Sequence, residues 1–193
     1  MATQEVYFDN SGLSSFTGNA GEEFTLPLMY KASDGEGTGG ISLEVYYNST
    51  LLTGVAVEDQ LQAFGLTNNT LDIEDASNDD SDENTDKYIS LSWLDMPANW
   101  APGTDPQIIA NLKFKVAEGA DLEEASTSIR LKASSTATNY NFYGQDLTLG
   151  EEVTEPQPEP APESEPEDST DPVDSAEPAP ESEPEDSTDP VDS

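Results

Sequence analysis

Neither cysteine nor histidine occurs anywhere in the 193 residues. The first absence removes disulfides, thiolate nucleophiles and cysteine metal sites. The second removes the commonest general base, the commonest zinc ligand and every Ser-His-Asp or Cys-His arrangement. Basic side chains are scarce too: six Lys and Arg stand against 41 Asp and Glu, a formal charge of −35. Such a chain repels nucleic acid and anionic membranes, so neither is expected as a partner. No run approaches the ~20 apolar residues of a membrane span. Residues 1–10 have neither the basic nor the apolar region of a secretory signal peptide. Any chemistry would rest on carboxylates. Asp95 and Asp105 flank a loop holding Trp100, as a glycosidase pair would, but acidic residues are so numerous that such a pair selects nothing. The chain reads as a non-enzyme.

Composition divides it in two. Residues 151–193 hold ten prolines and 17 acidic residues, no basic residue, and hardly any large apolar side chain. Such a segment cannot bury enough apolar surface to offset its chain entropy, so it reads as a disordered linker. It also repeats: Glu159–Ser175 recurs identically as Glu177–Ser193, a period of 18 residues. Residues 1–150 remain as one folding domain.

Within that domain apolar residues recur at period two, the signature of half-buried strands. Ile41, Leu43, Val45 and Tyr47 alternate with Ser42, Glu44 and Tyr46, and Ile89, Leu91 and Trp93 with Ser90, Ser92 and Leu94. In the segment 108–116, Ile108, Ala110, Leu112, Phe114 and Val116 read as inward, and Ile109, Lys113 and Lys115 as outward. Pro27 interrupts the row Phe24, Leu26, Leu28, Tyr30, so that strand is expected at an edge or a bulge. Lys113 and Lys115 suggest another edge. Asn68–Thr70 reads as a turn, and Glu58–Phe64 as one short helical turn. The pattern gives an all-β fold, a two-sheet sandwich of about nine strands.

Two sets of residues stand out as candidate sites. Trp100, in a proline-bounded loop, Tyr46, on the outer side of its strand, and Tyr143 are aromatics suited to a sugar or a protein surface; each is equally suited to packing at the rim. In the acidic stretch 72–86, Asp80, Asp82, Asn84 and Asp86 fall at positions 1, 3, 5 and 7 of a calcium-loop spacing. Thr85 and Leu91 stand where an EF-hand requires glycine and a bidentate glutamate, so a solvated hairpin loop is the competing reading. No cofactor is required; calcium is the one the spacing suggests.

Three segments carry a resemblance. Ala20–Leu28 (AGEEFTLPL) is similar to the opening of cohesin modules, Gly40–Leu52 (GISLEVYYNSTLL) resembles their next signature, and Ile108–Ala120 (IIANLKFKVAEGA) resembles their late strand. The order and spacing fit across about residues 5–150. The resemblance implies a jelly-roll sandwich of the carbohydrate-binding-module-like superfamily. It implies a non-catalytic extracellular or cell-surface binding module whose partner is a polysaccharide or a protein module such as a dockerin. In dockerin-binding cohesins the strand before the Tyr-Asp turn carries an exposed Asn and Asp; Gly40 and Ser42 take those positions here, and Asn48 replaces the turn aspartate. The alternative role is a structural spacer or adhesin domain stabilised by calcium.

Overall fold

The computed structural model describes residues 1–12, 15–123, 125 and 127–150. The tail expected over 151–193 lies outside the described residues. Eleven strands are described: β1 Ala2–Phe8, β2 Ser15–Phe16, β3 Glu23–Ala32, β4 Gly40–Tyr47, β5 Leu52–Glu58, β6 Gly65–Glu74, β7 Lys87–Asp95, β8 Gln107–Val116, β9 Thr127–Ser135, β10 Tyr140–Gln145 and β11 Leu147–Leu149. They form two sheets, ordered β10-β1-β3-β8-β5 and β2-β11-β9-β4-β7-β6. The pairs β1/β10 and β2/β11 are parallel and the others antiparallel. This is the all-β two-sheet sandwich that the alternation predicts and the jelly roll that the resemblance implies.

Each sheet buries one face against the other. Val6, Leu28, Tyr30, Leu112 and Phe114 from the first sheet share a core with Leu43, Val45, Tyr47, Ile89, Leu91 and Trp93 from the second. The inward rows of β4 and β7 are those read from the sequence. No helix occurs among the described residues, and Glu58–Phe64 is no exception. Its backbone is used differently: the Leu61 N–H donates to the Ile109 carbonyl (2.8 Å), and the Leu61 carbonyl accepts the Trp93 indole N–H (2.8 Å).

Four expectations are corrected by the register. Strand β3 lies between β1 and β8, so it is not an edge. Pro27 sits just beyond the last residue of β1, where its carbonyl accepts the Asp9 N–H, so the ladder loses little from its missing donor. The irregularity that proline suggested is present one step further on. Leu28 pairs with Ala110 while Met29 pairs with Ile108, which leaves Ile109 as the extra residue of a bulge. The bulge reverses the alternation there: Ile109 is fully buried and Ile108 is exposed. Strand β8 is also interior, so Lys113 and Lys115 do not guard an edge; they pair with Glu58 (3.2 Å) and Glu118 (3.1 Å). Asn68–Thr70 lies within β6, not in a turn.

The bulge makes a direct prediction. Ile109→Ala should cost about 2–5 kcal/mol of unfolding free energy, as expected for an emptied core site. Ile108→Ala should cost no more than about 0.5 kcal/mol. Urea denaturation of the two variants checks the assignment, and equal losses would contradict it.

Candidate functional site

The outer face of the second sheet is built by the positions that alternate with the core. Strand β4 supplies Gly40, Ser42, Glu44 and Tyr46; β7 supplies Tyr88, Ser90, Ser92 and Leu94; β6 supplies Leu66, Asn68 and Thr70. Register sets them in rows. Gly40, Leu94 and Leu66 form one, Ser42, Ser92 and Asn68 the next, then Glu44, Ser90 and Thr70. Arg130 and Lys132 of β9 lie beside Tyr46 and Glu44. Chemistry therefore changes along the strands, from apolar at one end through hydroxyls to charge at the other.

At the charged end a long loop, residues 75–86, folds back over the sheet. The Asp80 carboxylate accepts the Thr85 hydroxyl (2.7 Å) and lies 3.8 Å from the Arg130 guanidinium. The Lys132 ammonium donates to the Asp79 carbonyl (2.5 Å). This strap covers Tyr46, which packs against Tyr88 with ring centroids 5.1 Å apart and tilted by 34°, and which has no exposed surface.

The opposite end is open and apolar. Phe64 is 75% exposed and Met96 76%, with Leu66 and Leu94 about half exposed beside them. Burial would normally be favoured for side chains of this size, so four together make an exposed patch that calls for a partner. Their backbone is held firmly. The Asp95 carboxylate, almost fully buried, accepts the Phe64 N–H (2.7 Å) with one oxygen and the Asn99 N–H (2.8 Å) with the other. The Met96 N–H donates to the Phe64 carbonyl (2.9 Å). One carboxylate thus fixes the β5–β6 and β7–β8 connections as a single apolar knuckle.

Beside the knuckle lies an open groove of about 580 Å³, floored by Gly40, Ser42, Ser92 and Leu94 and walled by Ser135–Thr138. Asp95 is the one charged residue among the described residues lining it. The wall is anchored from below by the fully buried Gln4. Its Oε1 accepts the Ala137 N–H (2.8 Å), and its Nε2 donates to the Tyr30 hydroxyl (2.9 Å) and the Gly40 carbonyl (3.1 Å). Gly40 itself admits no side chain. Its φ is +107°, and a Cβ there would stand 2.0 Å from the Trp93 carbonyl oxygen.

The aromatics singled out from the sequence are not brought together. Trp100 is buried, not an exposed platform: its loop is bonded to Thr38 in both directions (3.0 and 3.1 Å), and the ring packs on Tyr30 (4.8 Å) and Trp93 (5.3 Å). Tyr46 is outward but covered by the strap. Tyr143 is exposed, on β10 of the other sheet. Nor do Asp80, Asp82, Asn84 and Asp86 converge. Asp80 engages Thr85 and Arg130, Asp82 accepts from Asn84, and Asp86 accepts the Ser49 N–H (2.7 Å) and hydroxyl (2.6 Å). Among the described residues no group of three or more acidic side chains is arranged to hold a metal ion. The knuckle went unread in the sequence; its one signal is Leu94, an apolar residue at an outward position of an otherwise regular strand.

Comparison with known proteins gives a family match. The family model described as the cohesin domain matches residues 11–151. No curated protein matches. Among solved structures, the seventh ScaB type I cohesin of Pseudobacteroides cellulosolvens is 14% identical, with 79% of this chain and 96% of that one covered and a TM-score of 0.48. The sixth cohesin of scaffoldin B from Acetivibrio cellulolyticus, in complex with a dockerin, is 14% identical over 77% of this chain and 98% of its own, with a TM-score of 0.45. A type I cohesin–dockerin complex from Clostridium thermocellum gives 12% identity, 74% and 90% coverage and a TM-score of 0.44.

The tyrosines around this sheet give a pH prediction. Burial, reinforced by hydrogen bonds to Glu44 and Asp72, pushes the Tyr46 and Tyr47 hydroxyls well above the usual phenol range. A group whose pKa rises on folding contributes stability that is complete below its unfolded value, near pH 10, and is lost as pH rises beyond it. Unfolding free energy should therefore fall between about pH 10 and 12. Tyr47→Phe should flatten that fall, as followed by denaturant titration across the pH series; an identical slope would contradict the account.

Proposed function

The chain belongs to the cohesin domain family, and on that premise we propose that it is a non-catalytic extracellular module that binds a dockerin-type protein module on the open part of the β9-β4-β7-β6 face. Solved cohesins appear in complex with dockerins. The observation that carries the reading for this chain is the groove: an uncharged serine floor beside exposed Phe64, Leu66, Leu94 and Met96, on a domain that is otherwise strongly acidic. Interfaces are distinguished by charge depletion at their centre with apolar and Met anchors, and this floor has that composition. Gly40 and Ser42 set its character. An Asn and Asp pair is replaced by a backbone with no side chain and one hydroxyl, so the contact rests on apolar burial and neutral hydrogen bonds. A protein partner is favoured over a polysaccharide because two of the three candidate sugar platforms, Trp100 and Tyr46, are buried.

Isothermal titration calorimetry against a panel of purified dockerin modules tests this. At least one should bind, and Ser92→Arg, which places a long cation in the middle of the floor, should weaken it by about thirtyfold or more. Binding that is indifferent to Ser92→Arg in a folded variant would place the interface elsewhere.

A further inference from the structure

We propose that a second copy of this chain docks face to face on the outer side of the β10-β1-β3-β8-β5 sheet, the side of the sandwich away from the groove. The positions that alternate with the core set the chemistry of that face. Tyr7 of β1 pairs with Met29 of β3, and Met29 pairs with Ile108 of β8. Tyr143 of β10 stands beside Glu5, one outward step from Tyr7. These four make an apolar stripe across four neighbouring strands. Ile108 and Tyr143 are about half exposed, and Tyr7 and Met29 partly so. The bulge at Ile109 completes the stripe, because it turns Ile108 outward where regular alternation would bury it. Tyrosine and methionine are among the side chains that interface centres favour.

The stripe lies in a face without net charge. Its outward strand positions carry three glutamates, Glu5, Glu23 and Glu58, and three lysines, Lys31, Lys113 and Lys115. Lys31 is bridged to Glu5 (3.0 Å) and Lys113 to Glu58 (3.2 Å). Glu23 pairs in register with Lys115, which also reaches Glu118 (3.1 Å). This face therefore contributes nothing to the chain's formal charge of −35. That balance selects the occupant. A cationic partner finds these carboxylates already matched by lysines, and is drawn to the acidic remainder of the domain. A like-charged partner is repelled there and accepted here, where nothing opposes apolar contact. The like-charged molecule present at every concentration is a second copy. A two-fold axis through the stripe sets the apolar residues of one copy against the same residues of the other. Five strands about 4.8 Å apart and about 20 Å long give a face of roughly 500 Å², or roughly 1,000 Å² over both copies. That is the lower end of specific interfaces, so the pair is weak and reversible. It leaves the groove on the other sheet open in both copies.

Sedimentation equilibrium of the full chain tests the pairing. A dimer should form with a dissociation constant on the order of 100 µM at about 500 mM salt, and weaken at least about tenfold at about 50 mM, where the two acidic chains repel unscreened. Salt acts in the opposite sense on a pair held by charge, so a dimer that is tighter at low salt overturns the account. Tyr143→Lys/Ile108→Lys changes exposed positions and should weaken the dimer at least about tenfold at high salt. The two added cations lower the overall repulsion between copies, so weakening reports loss of the stripe itself. Tyr143→Lys alone, at the most exposed of the four positions, repeats the test should the double variant not fold. Met96→Lys, at the knuckle, is the control and should leave the dimer unchanged. A dimer that survives the stripe variants, or one that Met96→Lys abolishes, places the contact elsewhere and overturns the proposal. A monomer at both salts up to about 1 mM chain overturns it as well. Should that monomer be retained on insoluble cellulose, and Tyr143→Lys abolish the retention, the occupant of this face is a neutral polysaccharide instead. The pairing stands or falls independently of dockerin binding, which concerns the opposite sheet.

Discussion

Mutual burial of two apolar sheet faces holds this domain together, with no disulfide to assist it. The chain has no cysteine, so the unfolded state is not restrained by disulfides. Stability therefore rests on the inward rows of β3, β4, β7 and β8 meeting in one core, at roughly 25 cal/mol for each Å² of apolar surface removed from water. That contribution must also offset the mutual repulsion of a strongly acidic domain. The outward faces are free of this duty, and their chemistry is set by other demands.

Charge is placed rather than spread. The six cations are all engaged by acidic partners or carbonyls: Lys31 with Glu5, Lys87 with Glu74, Lys113 with Glu58, Lys115 with Glu118, Arg130 with Asp80 and Asp146, Lys132 with a backbone oxygen. Most of these pairs are at the surface and individually contribute little stability. Arg130 and Lys132 have a larger structural consequence, because they hold the acidic strap against the sheet and so define where the open surface ends. Asp95 performs the matching service at the other boundary, with backbone N–H groups in place of cations.

Most of the fold could be read from period-two hydrophobicity, and the reasons for the exceptions are specific. Strands β4 and β7 are regular along their whole length, so their inward rows were legible. Strand β8 was misread at one point because a bulge depends on its partner β3, and nothing within residues 107–116 announces it. Strand β6 was missed in part because as an edge strand it is exposed on much of both faces, and Asn68–Thr70 then looks like a turn. The site was less legible still. Tyr46 does stand on the outer side of its strand; its burial comes from a loop 30 residues further along. Trp100 is buried because its loop bonds to Thr38, a contact 62 residues distant. The Asp95 clamp joins residues 31 apart. A carboxylate in a very acidic sequence carries no mark that sets it apart. The family resemblance, which the match over residues 11–151 bears out, carried what local pattern did not.

The parallel alignment of β1 with β10, from Ala2 beside Tyr140 to Tyr7 beside Gln145, has a mechanical consequence. Tension applied at the start of β1 and the end of β10 pulls these two neighbours along their common axis in opposite senses. Their bridging hydrogen bonds are then strained together in shear, whereas a hairpin pulled from its open end would unzip one bond at a time. A strand pair loaded in this way resists being drawn apart lengthwise.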